Sequence, residues 1–254
     1  MIRIGCAGWS LPRAAQDRFP EGEGSLARYA AVFNCAEINS SFHRPHRAST
    51  YERWAASVPP GFLFSVKLAK DITHGARLVK CTRMLDEFLA PVRSLGEAFG
   101  CLLVQLPPKL ELDAAVAKRF FTAVEARGVP GIALEPRHAS WFTPAADALL
   151  VARGIARVAA DPPRAPGGGE PGGWPAFAYY RLHGTPRMYY SAYEASFLNA
   201  LARGIASRDR PAWVIFDNTA GNAAVPNALD LMERLETRRT GVDDNGATTT
   251  TITG

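Results

Sequence analysis

Eight short apolar runs recur along the chain at intervals of a few tens of residues, and segments with helical spacing separate most of them. The runs fall at 2–7, 35–41, 62–68, 100–106, 131–136, 156–161, 177–183 and 212–218. Several, such as CLLVQL at 101–106 and WVIF at 213–216, are almost continuously apolar, the pattern of strands covered on both faces. Between them, Ser25 is placed to cap a helix through Leu26, Tyr29, Ala30 and Phe33. Leu85, Phe88, Leu89 and Val92 share one face of another helix, and Val116, Phe120 and Val124 one face of a third. Strand alternating with helix predicts a parallel α/β fold. Eight strands in 254 residues favour a single TIM-like (β/α)8 barrel over residues 1–236.

A doubly wound dinucleotide fold would carry GxGxxG straight after the first strand. Gly5-Cys6-Ala7-Gly8-Trp9-Ser10 lacks that spacing. One unit of the barrel is irregular. The stretch PPRAPGGGEPGGWP (162–175) is too rich in Pro and Gly for a helix, so it reads as a flap over the barrel mouth or as a linker in a helix's place. Residues 237–254 show no apolar periodicity and are expected to be a disordered tail.

No apolar run reaches the roughly 18 residues of a membrane span, and residues 2–10 lack a secretory h-region, so a cytoplasmic location is expected. Cys6, Cys35, Cys81 and Cys101 form neither a CxxC nor a paired spacing and read as small apolar filler. The net charge of +5 permits an anionic partner without naming one.

In a barrel of this kind chemistry sits where strands end, because those loops converge on one mouth. Here the ends are polar. They carry Trp9 after strand one; Glu37, Asn39 and Ser41 in strand two; and Lys67 with the following His74 in strand three. Later strands add Gln105, then Glu135, Arg137 and Trp141, then Asp161, then Arg181 and His183, and last Asp217-Asn218. At period two, Glu37, Asn39 and Ser41 share a face, as do Glu135 with Arg137 and Arg181 with His183. Charged residues on an inward face need partners or a ligand, so the set is either an ion-pair network that fixes the barrel or a binding site.

GCAGWS, EINSSFHRP (37–45), GFLFSVKLAKDITH (61–74), LLVQLPP (102–108), ALEPRHASWF (133–142), YYRLHG (179–184) and FDN followed by PNAL (226–229) occur in this order. Over residues 2–235 the chain resembles the YecE-like family (domain of unknown function 72). The resemblance implies a TIM-barrel fold and supplies no established activity. Three positions depart from the family pattern: Leu11-Pro12-Arg13 replaces aromatics after GWS, Phe42-His43-Arg44 replaces Phe-Tyr-Arg, and Asp217-Asn218 replaces paired asparagines.

Three functions stay open on these residues. One is a metal-free enzyme acting on a small anionic substrate, phosphorylated or carboxylated. There Arg137, Arg181 and Lys67 would clamp the anion, Glu37 or Glu135 would be the base and His183 or His74 the acid. Trp9, Asn39, Gln105, Trp141, Asp161 and Asn218 would bind substrate. The second is a phosphoester or nucleic-acid hydrolase with a divalent metal on Glu37, Glu135, Asp161, His183 and Asp217. The third is a nucleotide- or nucleic-acid-binding module stacking bases on Trp9, Phe42 and Trp141. No cofactor is expected under the first reading, and the sequence leaves the oligomeric state open.

Overall fold

The computed structural model of the chain describes residues 1–208 and 210–240. All eight expected strands form at the runs read from the sequence, the fourth and sixth beginning one residue earlier than read. They are β1 (Ile2–Cys6), β2 (Cys35–Ile38), β3 (Leu63–Lys67), β4 (Phe99–Gln105), β5 (Ile132–Glu135), a sixth position made of β6 (Ile155–Arg157) and β7 (Ala159–Asp161), then β9 (Ala178–Leu182) and β10 (Ala212–Phe216). A two-residue strand β8 (Gly172–Gly173) lies outside this series. Helices α1 (Ser25–Ala30), α2 (Ala48–Ala56), α3 (Thr82–Val92), α4 (Ala114–Glu125), α5 (Pro144–Val151), α6 (Ala195–Ala206) and α7 (Ala224–Thr240) follow the strands.

The ladders run in a circle. Parallel pairing joins β2 to β3, β4, β5 and β6, while β7 pairs with β9, β9 with β10, and β10 with β1. Between β6 and β7, Val158 keeps the continuity by donating its amide to Leu134 O at 2.8 Å. The Ala7–Glu37 bridge, with Gly8 N donating to Glu37 O at 2.9 Å, joins β1 back to β2. The result is an α/β fold of mostly parallel strands, TIM-barrel-like in order.

Two apolar layers follow from strand parity. Side chains pointing outward meet the helices: Leu85, Phe88, Leu89 and Val92 of α3 and Phe120 and Val124 of α4 are buried there, with Val116 partly so. Those pointing inward fill the barrel with Cys35, Cys101, Leu103, Ala133, Val158, Tyr179, Trp213 and Ile215. All four cysteines are buried and free, and burial pushes the Cys6 thiol up to about 12, as suits filler and not a nucleophile.

Two local expectations change. Gly24, and not Ser25, is the N-cap of α1, and Ser25 is its first helical residue, with no side-chain cap. Helix α7 continues past Glu236 to Thr240, and the remainder of the expected tail, 241–254, lies outside the described residues.

The Pro/Gly stretch takes the place of a helix and lies along the barrel wall. Its β8 pairs antiparallel with β6, and Gly168 O accepts the Ala160 amide at 2.8 Å. The outward Arg157 organises it, donating to Asp147 Oδ1 at 3.0 Å and Gly167 O at 3.1 Å, with its guanidinium over the Phe142 ring. A Cβ on Gly172 would sit 2.2 Å from Arg157 Nη2, so a larger residue there would have to displace this guanidinium.

Gly5 is required because the backbone of β2 approaches it. Tyr29 OH accepts the Cys6 amide at 2.7 Å and donates to Cys35 O at 3.0 Å, tying α1 across β1 and β2. A Cβ on Gly5 would lie 2.0 Å from Cys35 O and 2.8 Å from that hydroxyl. Gly5→Ala is therefore expected to lower stability by about 1–3 kcal/mol. Urea unfolding checks this, and an unchanged midpoint would contradict so close an approach of β1 to β2.

Candidate functional site

Above the apolar floor the inward positions change character. Glu37, Lys67, Gln105, Glu135, Arg181, His183 and Asp217 are all buried, at or just beyond the C-terminal ends of their strands. Arg181, with no exposed surface, is the hub. It forks onto Glu37 (Nε–Oε2 2.8 Å, Nη2–Oε1 2.6 Å) and also donates to Glu135 Oε2 at 2.8 Å and Asp217 Oδ2 at 3.0 Å. Tyr179 connects floor to hub, its hydroxyl lying 2.8 Å from Ser65 Oγ and 3.4 Å from Glu37 Oε2. Gln105 Nε2 donates to Glu135 Oε2 at 2.9 Å.

His183 closes the network on the other side. Its Nδ1 lies 2.9 Å from Asp217 Oδ2 and its Nε2 3.0 Å from Glu135 Oε1. A carboxylate only accepts, so both ring nitrogens carry hydrogen and the ring is an imidazolium. Burial alone would favour the neutral ring, but Glu135 and Asp217 outweigh it and raise the His183 pKa. Burial likewise works against charge on the two carboxyls, yet Arg181 and His183 hold both below their ordinary values.

The rim above this network is less committed. Burial, reinforced by Arg181, pushes the Lys67 amine down to about 8. Its Nζ donates to Asn39 Oδ1 at 3.1 Å and stands 4.3 Å from the centre of the Phe42 ring. Arg137 Nε is 3.6 Å from Glu135 Oε1, beyond hydrogen-bonding distance. Its Nε and Nη2 are buried without a hydrogen-bond partner among the described residues. His74 is half-buried, with Nδ1 2.8 Å from Thr73 Oγ1, and its pKa is lowered by burial and by Arg137, Lys67 and Lys70.

The structure thus sorts the expected residues. Glu37, Glu135, Arg181 and His183 come together with Gln105, and Lys67, Asn39, Arg137 and His74 lie at their edge. Arg181 cannot clamp a ligand as expected, because three carboxylates already take its donors. His183 and Glu37 are held in the same way, so neither is a free acid or base. Trp141 does not reach the mouth: it is buried in the outer layer and donates Nε1 to Leu110 O at 2.9 Å. Trp9 packs edge-on against Trp54 and Phe64.

Asp161 belongs to the outward face, since Val158 points inward. Its Oδ1 accepts from Thr185 Oγ1 at 2.7 Å and Tyr193 OH at 3.0 Å, anchoring the loop after β9. Asn218 likewise braces that loop, donating Nδ2 to Ser191 O and Asn227 Oδ1. The strand-end residue that reaches the cluster is Asp217, at the same parity as the inward Trp213 and Ile215. That alternation was the signal for it. Strand parity also fails for Asn39 and Ser41, because β2 stops at Ile38 and Asn39 turns into a helical conformation. Ser41 spends its hydroxyl on Ile38 O and Lys67 O.

The proposed metal ligands are closed off by organic cations. The Arg181 guanidinium occupies the space between Glu37, Glu135 and Asp217 where a metal would have to sit, and both His183 nitrogens are donors. Among the described residues, no three His, Cys, Asp or Glu are grouped to hold a metal ion. None of the described helices is long and apolar enough to cross a membrane.

Fold and site together define an α/β protein of TIM-barrel-like order, with a closed charged network under a partly uncommitted polar rim. The chain belongs to the family described as Protein of unknown function DUF72, whose model matches residues 3–251. It is 33% identical over 107 residues to the UPF0759 protein YecE of Escherichia coli K12, covering 42% of this chain and 38% of that protein. The match thus spans well under half the length of that curated relative. A crystal structure of a DUF72 family protein from Enterococcus faecalis superposes with a TM-score of 0.76 at 19% identity, covering 93% of this chain and 96% of that one. A structure described as a sugar phosphate isomerase/epimerase, from Parabacteroides distasonis, superposes with a TM-score of 0.52 at 12% identity, covering 93% and 94%. These likenesses of structure establish the fold alone.

Proposed function

We propose that the chain is an enzyme applying acid/base chemistry to a small phosphorylated or carboxylated compound at the C-terminal mouth of the barrel. The observation that carries this reading is Arg137: two buried guanidinium nitrogens without a hydrogen-bond partner among the described residues, at the edge of a network in which Arg181 and His183 are fully engaged with Glu37, Glu135 and Asp217. A buried orphan donor costs free energy unless something partners it, and a guanidinium fork fits phosphate or carboxylate. With His183 protonated, Arg181, His183 and Arg137 balance Glu37, Glu135 and Asp217. Lys67 then carries the surplus charge when protonated, and its lowered pKa lets it give and take a proton near neutrality. His74, whose pKa is lowered by burial and by Arg137, Lys67 and Lys70, is the second titratable group of this rim. The fold neighbour named for sugar phosphates is compatible with such a substrate, while the substrate class itself rests on Arg137.

Calorimetric titration with inorganic phosphate and with small carboxylates tests the reading. Arg137→Gln is expected to weaken anion binding by about 10- to 100-fold, the loss of charged hydrogen bonds worth about 1.5–3 kcal/mol. Equal binding by wild type and variant, or none by either, would sink it.

A further inference from the structure

Lys67 is unusual among the buried charges. Three carboxylates lie close enough to influence it, yet it forms no ion pair with any carboxylate of the described residues, because Arg181 and His183 have taken them. One amide oxygen, from Asn39, and the face of Phe42 are what its Nζ meets. The Phe42 face favours the ammonium, but an ammonium has three hydrogens to place and finds one hydrogen-bond acceptor here, whereas a neutral amine keeps its lone pair free. A cation as close as Arg181 further disfavours the ammonium. This is the environment of a nucleophilic amine.

We propose that Lys67 captures a carbonyl: its Nζ forms an imine with a small aldehyde or ketone whose phosphate or carboxylate is held by Arg137. This rests on the anion site proposed above and adds covalent chemistry to it. The amine lone pair adds to the carbonyl carbon, forming the C–N bond as the C=O pair moves to oxygen. A proton passes from nitrogen to that oxygen. The hydroxyl then leaves with a second proton as water, and C=N forms. Amine and carbonyl give imine and water, with no oxidant or cofactor. Once protonated, the imine withdraws electrons from the adjacent carbon, which is what proton abstraction or carbon–carbon cleavage next to a carbonyl requires.

The test is borohydride trapping on the full chain with pyruvate, with dihydroxyacetone phosphate, and with acetone as the neutral control, followed by peptide mass mapping and by calorimetry with inorganic phosphate. The expected result is one reduced adduct on the Lys67 peptide with an anionic probe. It should fall about tenfold with acetone or in Arg137→Gln, and Lys67→Met should show none. If wild type binds phosphate through Arg137 but shows no adduct at Lys67, the imine is overturned and the anion site stands. If it neither binds phosphate nor forms the adduct, both fail. Adducts spread over Lys70, Lys80, Lys109 and Lys118 without preference for Lys67 also overturn the imine. Peptide mapping of the wild type decides the matter even if Lys67→Met does not fold.

Discussion

Arg181→Met is expected to destabilise the protein by about 3–5 kcal/mol, because it leaves Glu37, Glu135 and Asp217 buried without their common cation. For a domain of this size that corresponds to a fall in Tm of roughly 10 °C. Met matches the length of the side chain, so the loss reports charge and hydrogen bonding more than volume. Arg181→Lys should recover little, since one ammonium cannot reproduce the fork onto Glu37 and the separate bonds to Glu135 and Asp217. Adding Glu37→Gln to Arg181→Met should restore part of the loss by removing one stranded charge. Urea unfolding of the single and double variants measures this. A single-variant loss below about 1 kcal/mol would be the value of an exposed pair, and would contradict a closed network.

The barrel itself was readable because its evidence is local. CLLVQL and WVIF announce doubly covered strands, the spacing of Leu85, Phe88, Leu89 and Val92 announces a helix face, and the glycines of 162–175 announce a missing helix. The division of labour within the site was not readable. Arg137 and Arg181 look equivalent in the sequence, each two residues from another polar residue on a strand. The difference lies in partners such as Glu37, 144 residues from Arg181, and no local pattern encodes so distant a pairing. Alternation points away from Asp161 inside β7 and to Asp217 one residue beyond β10, but it fails one residue beyond β2, where Asn39 has already turned into a helical conformation. In the sequence the charged set is either an ion-pair network or a binding site. In the structure it divides into a closed network around Arg181 and a rim of Arg137, Lys67 and His74 that the network does not engage.

That division has a pH signature. The His183 pKa is raised in the fold above its ordinary 6.5, so its contribution to stability is complete below 6.5 and is lost as the pH rises through the folded value. Glu135 and Asp217 are lowered from 4.5 and 3.8, so their contribution is present above those values and is lost as the pH falls through the folded ones. Their joint contribution is therefore greatest between pH 4.5 and 6.5. On the alkaline side a neutral imidazole keeps one N–H for two carboxylates, so one charged hydrogen bond, worth about 1.5–3 kcal/mol, is forfeited. Urea midpoints measured upward from pH 6 should fall accordingly. His183→Gln, which has no proton to lose there, should be less stable at pH 6 and lack the wild-type fall above it. A wild type without that fall would mean that the ring is neutral in the fold, and that Asp217 and Glu135 do not share it as an imidazolium.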